Sequence, residues 1–242
     1  MFASIKAGFD YRGWLVLALA VMLLAFLLPQ PVYADPGPGW YDVNWKYRMR
    51  ITIDHDKVSN TDQTDFPVVI NRTDSAWKDT TNGGHVGQAD GGDFLFTSSN
   101  GTTKLSHEIE KYTPSAGELI AWVKVPTVSA SVDTVIYIYY GNATCADQWN
   151  PTGVWDANFV GVWHLDETSG TVIYDSTSNA NNGTPDIEVL LDVSGTIDGA
   201  DEFDGIDSQI NRLDANSLDL STQGTLEAWI YMHAFIGDDG II

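Results

Sequence analysis

The stretch KYRMRITID, residues 46–54, sets the fold class of this chain. Its apolar side chains occupy every second position from Tyr47 to Ile53, and they alternate with arginine, threonine and aspartate. A period of two places all the apolar side chains on one face of an extended chain, which is typical of a half-buried strand. The stretch therefore predicts a strand that covers a core with one face.

The same signature continues on the C-terminal side of this strand. Short segments rich in β-branched and aromatic residues are separated by clusters of glycine, asparagine, aspartate, serine and proline, which favour turns. No helical period interrupts them. The pattern predicts an all-β fold built from antiparallel sheets, in a sandwich or a barrel. The predicted strands are 66–70, 93–97, 105–112, 119–125 and 134–140.

A second β pattern begins at 159–165 and resumes at 225–231. The polar segment 146–158 separates it from the first pattern and is predicted to be a linker. We therefore expect two antiparallel β-sandwich modules in series, at 41–145 and 159–242. The second module is shorter than the roughly 100 residues of a two-sheet sandwich, so we expect it to be incomplete.

The N-terminal segment carries the features of a secretory signal. Lys6 and Arg12 precede an unbroken apolar run at 14–28. Val32 and Ala34 then place small residues at the two positions that a signal peptidase recognises, which predicts cleavage before Asp35. The run is shorter than the hydrocarbon core of a bilayer requires, which favours a cleaved signal peptide at 1–34, although an uncleaved anchor is an alternative. Residues 35–40, rich in proline and glycine, are predicted to be a linker. The expected location is therefore extracellular or at the cell surface.

The charge and cysteine content restrict the possible partners. The net charge of −21 argues against binding to nucleic acid or to an anionic membrane, because both need a basic face. Solvated carboxylates favour hard cations such as calcium. Cys145 is the single cysteine, so an intramolecular disulfide is excluded. Beyond the signal segment, we expect no contact with a membrane.

The first module resembles the family known as domain of unknown function 2341, which consists of exported proteins without an assigned activity. The resemblance implies an extracellular β domain and covers about residues 40–145. Six motifs carry it in order: WKYR at 45–48, FPV at 66–68, GDF at 92–94, HEIE at 107–110, AWVKVP at 121–126 and YYGN at 139–142.

The second module resembles the laminin G-like or concanavalin A-like jelly-roll, of which it covers the N-terminal half. The resemblance implies a truncated jelly-roll, and such domains commonly bind a structural calcium ion and, in some members, glycans. The matching stretches are GVWHLDE at 161–167, DSTSNANNG at 175–183, GA at 199–200 with FDG at 203–205, and TLEAWI at 225–230.

Two catalytic motifs are excluded by their spacing. His107 and Glu108 begin like a zinc-protease helix, but position 111 is lysine and the pattern is that of a strand. A jelly-roll glucanase needs three acidic residues at alternate positions, and after Glu202 and Asp204 the third position is Ile206. The residues therefore favour a protein without catalytic activity.

A calcium site is predicted in the turns of the second module. Loops that gather carboxylate and amide oxygens provide the ligands that calcium prefers. The alternative is that these residues only stabilise turns through their own side chains. The predicted ligands are Asp175, Asn182, Asp204 and Asp207.

Aromatic residues in polar surroundings are the predicted ligand-binding residues. Trp149, Trp155 and Tyr174 are candidates, because exposed aromatic faces stack on sugar rings. The alternative is that they belong to the core. We therefore expect a secreted or surface-located binding protein, non-catalytic, that recognises polysaccharide or cell-surface glycan. The alternatives are accessory modules of a larger secreted carbohydrate-active enzyme and a purely structural stalk.

Overall fold

A computed structural model describes residues 39–219 and 223–232. The signal peptide predicted at 1–34 lies outside these ranges. The described residues form strands joined by turns and short helices, which confirms the all-β fold class. The strands are β1 (Tyr47–Ile53), β2 (Gln63–Thr73), β3 (Leu95–Ser98), β4 (Lys104–Leu105), β5 (His107–Thr113), β6 (Glu118–Val128), β7 (Thr134–Tyr140), β8 (Thr184–Pro185), β9 (Leu190–Ser194), β10 (Gly199–Glu202) and β11 (Ile210–Asn211).

The helices of the described ranges are short. One α-helical turn, α1 (Pro151–Val154), follows the last strand of the first module. The 3₁₀ turns are His55–Lys57, Ser75–Trp77, Thr80–Asn82 and Asn216–Leu218. None of the helices in these ranges is long and apolar enough to cross a membrane.

Two antiparallel sheets share one core in the first module. One sheet has the order β1-β7-β3-β4 and the other has the order β2-β6-β5. Alternate residues of β6 and β7, such as Val123 and Ile138, are fully buried between them, and Phe94 and Phe96 fill the centre. Met49, Ile51 and Ile53 of β1 pack against the same core. The apolar face predicted from the period of two therefore faces the core from Met49 to Ile53, whereas Tyr47 at the start of the strand is 39% exposed.

The second module contains only two-stranded pairs in the described ranges, β8 with β11 and β9 with β10. The prediction of a strand at 159–165 is wrong, because this segment forms only one isolated β-bridge, between Trp163 and Asp175. Leu165 has a φ of 59°, which an extended strand does not tolerate. Residues 225–231 also form no strand, and Trp229 and Ile230 are exposed. Alternation makes a strand only where a partner strand supplies hydrogen bonds.

The segment 146–158, predicted to be a linker, packs against the sandwich. The backbone N–H of Gln148 donates to Gly92, and that of Asn150 donates to His107 of β5. Trp155, which follows α1, is buried. The segment is therefore held along its length, and the boundary between the two modules stays a prediction.

Candidate functional site

Strand β5 presents two carboxylates on its outer face. His107 and Ile109 point into the core, and His107 contacts the Phe96 ring at 5.1 Å between centroids. Because successive side chains of a strand point to opposite faces, Glu108 and Glu110 lie on the outer face. His107 and Glu108 therefore lie on opposite faces of the strand.

His164 lies between the two carboxylates. Its Nε2 atom is 3.1 Å from Glu108 Oε2, and its Nδ1 atom is 3.3 Å from Glu110 Oε2. The side chains of His164, Glu108 and Glu110 are 11%, 10% and 3% exposed. These three residues, here named the carboxylate–histidine cluster, join the outer face of β5 to the segment that follows α1. A charged group so deeply buried must be paired.

Three further donors satisfy the oxygens of the cluster. Trp155 Nε1 donates to Glu108 Oε2 at 2.5 Å, and Ser176 Oγ donates to Glu108 Oε1 at 2.6 Å. Trp122 of β6 donates its indole N–H to Glu110. The rings of Trp122 and Trp155 also lie 5.3 Å apart, and both contact the imidazole. The cluster is thus hydrogen-bonded and covered by two indoles.

The cluster consists of a protonated histidine between two carboxylates. Burial by itself lowers the pKa of His164, but the hydrogen bonds and charges of Glu108 and Glu110 outweigh burial and raise this pKa to about 10. Burial raises the pKa of Glu108, but His164, Ser176 and Trp155 outweigh it and leave that pKa below its usual value. His164 therefore carries its proton at neutral pH, and Glu108 is ionised.

We predict that the cluster makes stability depend on pH. The folded-state pKa of His164 is raised from 6.5 to about 10, so its contribution is complete below pH 6.5 and is lost as the pH rises through 10. The pKa of Glu108 is lowered from 4.5, so its contribution is present above pH 4.5 and is lost in acid. Urea unfolding at several pH values should give a wild-type free energy that falls between pH 6.5 and 10. The free energy of unfolding of a His164→Gln variant should change less over this range. Equal pH dependence of the two proteins would contradict the prediction.

The cluster does not suit acid–base catalysis. Each carboxylate already accepts a bond from His164 and from an indole N–H, and Glu108 accepts one from Ser176 as well. A general acid or base needs a proton that can be exchanged with a substrate in contact with it. The cluster instead binds one part of the chain to another.

The predicted calcium ligands fall into two pairs. Asp175 is buried, and its carboxylate accepts bonds from the backbone N–H groups of Val162, Thr177 and Asn181. Asn182 Oδ1 accepts the backbone N–H of Asp175 at 3.0 Å. The carboxylate of Asp175 therefore organises its own turn.

The second pair lies in the turn after β10. Asp204 Oδ1 accepts the backbone N–H groups of Ile206, Asp207 and Ser208, and these bonds lower the pKa of Asp204 to about 2. Within 39–219 and 223–232, Asp175, Asp204 and Asp207 do not form a group of three carboxylates with metal-ligand spacing. Calcium binding stays a prediction.

One other group has the spacing of metal ligands. Asp54, His55 and Asp133 lie where β1 ends and β7 begins, with ligand atoms within 4.8 Å of one another. His55 Nδ1 is 2.7 Å from Asp133 Oδ1, and the carboxylate of Asp54 accepts the backbone N–H of Asp56. Among the described residues, the exposed ion pair of His55 and Asp133 explains why these ligand atoms lie close together.

The predicted ligand-binding aromatics have different environments. Tyr174 is 62% exposed and Trp149 is 39% exposed, as expected of stacking surfaces. Trp155 is only 5% exposed, so the expectation that it lies on the surface was wrong. Its position after α1 directs the ring onto the outer face of β5, where its N–H finds Glu108. The sequence shows that Trp155 has polar neighbours, but it does not show that Glu108 accepts the indole N–H of the buried ring.

Asp93 joins two of the motifs found in the sequence. Its fully buried carboxylate accepts the backbone N–H groups of Gly87, Gln88, Gly141 and Asn142 at 2.6–3.0 Å. The first two donors precede β3 and the other two follow β7. A single carboxylate therefore holds two loops together at one end of the sandwich.

Comparison with known proteins agrees in part with the resemblance found in the sequence. No significant match to the chain was found among curated proteins or among solved structures. The resemblance covers about residues 40–145, whereas the family match begins at residue 90 and extends past the predicted module boundary to residue 189. Residues 90–189, which include the carboxylate–histidine cluster and Asp93, match the model of the family described as Domain of unknown function (DUF2341).

Proposed function

We propose that this chain is a secreted or surface-located binding protein that recognises polysaccharide or another cell-surface glycan. The charged start and apolar run at 1–34 support export, and the net charge of −21 supports a partner that is not anionic. Use of Glu108 and Glu110 in a buried ion cluster supports a role without catalysis.

The exposed aromatic side chains carry the proposal. Tyr174 has 62% of its surface in water, and the carboxylate of Glu167 accepts its backbone N–H at 2.7 Å. An aromatic face next to carboxylate and amide oxygens provides both a stacking surface and acceptors for hydroxyl groups. Trp149 offers a second exposed ring, between Gln148 and Asn150. The polar and aromatic chemistry of a sugar ring fits such a surface.

The resemblance of the second module to laminin G-like jelly-rolls supports the same proposal. We place this module at 159–242 and the exported β domain at 41–145, joined by 146–158. Domains of the jelly-roll group commonly bind a structural calcium ion, and some members bind glycans. Calcium would be held by the turns of Asp175 with Asn182 and of Asp204 with Asp207, since these turns contain the oxygen ligands that the ion prefers.

We predict that the full chain binds at least one member of a broad polysaccharide panel. Tyr174→Ala should raise the dissociation constant about tenfold, which corresponds to about 1.4 kcal/mol of binding free energy. Binding would be measured by affinity electrophoresis, with calcium and with a chelator. The control is Phe66→Ala, which removes an aromatic ring of 46% exposure from β2. Retention of full affinity by Tyr174→Ala and Trp149→Ala, or no binding to any polysaccharide, would contradict the proposal.

A further inference from the structure

The sequence contains four Asn-X-Thr triplets in which X is not proline. This triplet is the acceptor signal for N-linked glycosylation of exported proteins. The triplet alone does not decide the matter, because the asparagine must also be exposed for an attached sugar chain to extend into solvent. The four triplets begin at Asn71, Asn100, Asn142 and Asn182.

The first triplet presents its asparagine and its threonine to solvent together. Asn71 and Thr73 are both exposed and lie two positions apart on β2, so their side chains point to the same face of the strand. Arg72 points to the opposite face, where it pairs with Asp74 at 2.6 Å and lies over the ring of Trp77. The acceptor amide and the hydroxyl of the triplet are therefore accessible from one side.

The second triplet lies in the turn between β3 and β4. Asn100 is exposed, and its Oδ1 atom accepts the backbone N–H groups of Thr102 and Thr103 at 2.9 Å. Its Nδ2 atom donates to Thr103 Oγ1 at 2.8 Å. That bond uses one of the two N–H groups of the amide. Glycosylation replaces only one hydrogen of the amide, so this turn can be kept after modification.

The other two triplets are less accessible. Asn142 is only 7% exposed, and its Oδ1 atom accepts the hydroxyl of Thr144 at 3.2 Å. A side chain buried to this degree leaves no path to solvent for a sugar chain. Asn182 is partly buried, and its Oδ1 atom accepts the backbone N–H of Asp175. The fold therefore favours the first two triplets as acceptors.

The position of Asn71 also suggests what a glycan would do there. Strand β2 is at the end of its sheet in the described residues, and Val69, on the same face as Asn71, is 40% exposed. A long edge strand with exposed apolar side chains invites pairing with another chain, and proteins commonly cover or charge such edges. A hydrated sugar chain on Asn71 would cover this edge.

We propose that Asn71 and Asn100 carry N-linked glycans. The donor is an oligosaccharide carried on a lipid diphosphate. A bond forms between Asn Nδ2 and C1 of the first sugar, the bond between C1 and the phosphate oxygen breaks, and the lipid diphosphate leaves with the proton that Nδ2 loses. The step needs no oxidant or reductant. This inference rests on the export part of the proposed function and not on glycan recognition.

Expression of the full chain in a eukaryotic host that glycosylates exported proteins tests the proposal. Protein recovered from the medium should lose the mass of two glycans when peptide-N-glycosidase releases them. The enzyme converts each glycosylated asparagine to aspartate. Peptide mapping should therefore find aspartate at positions 71 and 100 and asparagine at positions 142 and 182.

The matched variants remove the hydroxyl of one triplet and keep its asparagine. Thr73→Val and Thr102→Val should each carry one glycan and the double variant none, whereas Thr144→Val should match wild type. Thr102→Val also corrects for spontaneous deamidation of Asn100, because the Asn-Gly pair is retained.

Secreted wild type whose mass is unchanged by the enzyme, or a double variant that still carries a glycan, would overturn the proposal while export stands. A chain that stays in the cell without a glycan would contradict export and this inference together. Polysaccharide binding is measured separately and decides neither outcome.

Discussion

Replacement of His164 by alanine is expected to lower the free energy of unfolding by about 3–5 kcal/mol, the usual cost of removing one partner from a buried ion pair. The change leaves Glu108 and Glu110 side by side under two indoles, without a positive charge between them. Urea denaturation at pH 6 measures the effect, because the contribution of His164 is complete at this pH.

The matched control is His55→Ala. His55 pairs with Asp133 at 2.7 Å, but the two side chains are 37% and 50% exposed. Exposed ion pairs contribute about 0–1 kcal/mol, so this variant should remain close to wild type. If both variants lost the same small amount of stability, the carboxylate–histidine cluster would not be an important contact of the fold.

Asp93→Ala is expected to have a comparable effect, with a loss of about 3 kcal/mol or more, because each buried donor left without an acceptor costs about 1–3 kcal/mol. Four backbone N–H groups on two loops lose their acceptor in this variant. The loss should appear as a lower urea midpoint. Hydrogen exchange should also become faster at Gly87, Gln88, Gly141 and Asn142.

Asp90→Ala is the control for this change. Asp90 lies three positions earlier on the same loop, is exposed and accepts a single backbone N–H, from Gly92. We expect its unfolding free energy to change by about 1 kcal/mol or less, in line with one hydrogen bond to an exposed carboxylate. Unchanged stability of Asp93→Ala would show that the two loops hold together without the carboxylate.

The strands of the first module were predictable because their signal is local. Alternation in the sequence places apolar side chains on one face of a strand, whichever strand it pairs with. This holds for residues 47–53 and for the β-branched run that forms β7. The same rule failed at 159–165, where Leu165 turns the chain, and at 225–231. In both segments the pattern is present, but the described residues supply no partner strand.

The residues of the candidate site were less predictable, because their chemistry depends on distant partners. The polar residues around Trp155 in the sequence predict that its ring is exposed. Its burial depends on the hydrogen bond to Glu108, 47 residues away. Glu108 and Glu110 alternate with apolar residues in the sequence, but the sequence does not show that His164 covers them.

The sequence by itself determined the all-β class, most strands of the sandwich, the acidic charge and the single cysteine. These properties depend on composition and on a period of two, which need no knowledge of long-range contacts. The strand predicted at 105–112 is instead divided, with Leu105 in β4 of one sheet and the rest in β5 of the other. Only the tertiary structure decided which carboxylates and which tryptophans are buried. Those outcomes depend on pairs of residues far apart in the chain, and the free energy of a buried charge or donor is set by the partner that folding brings to it.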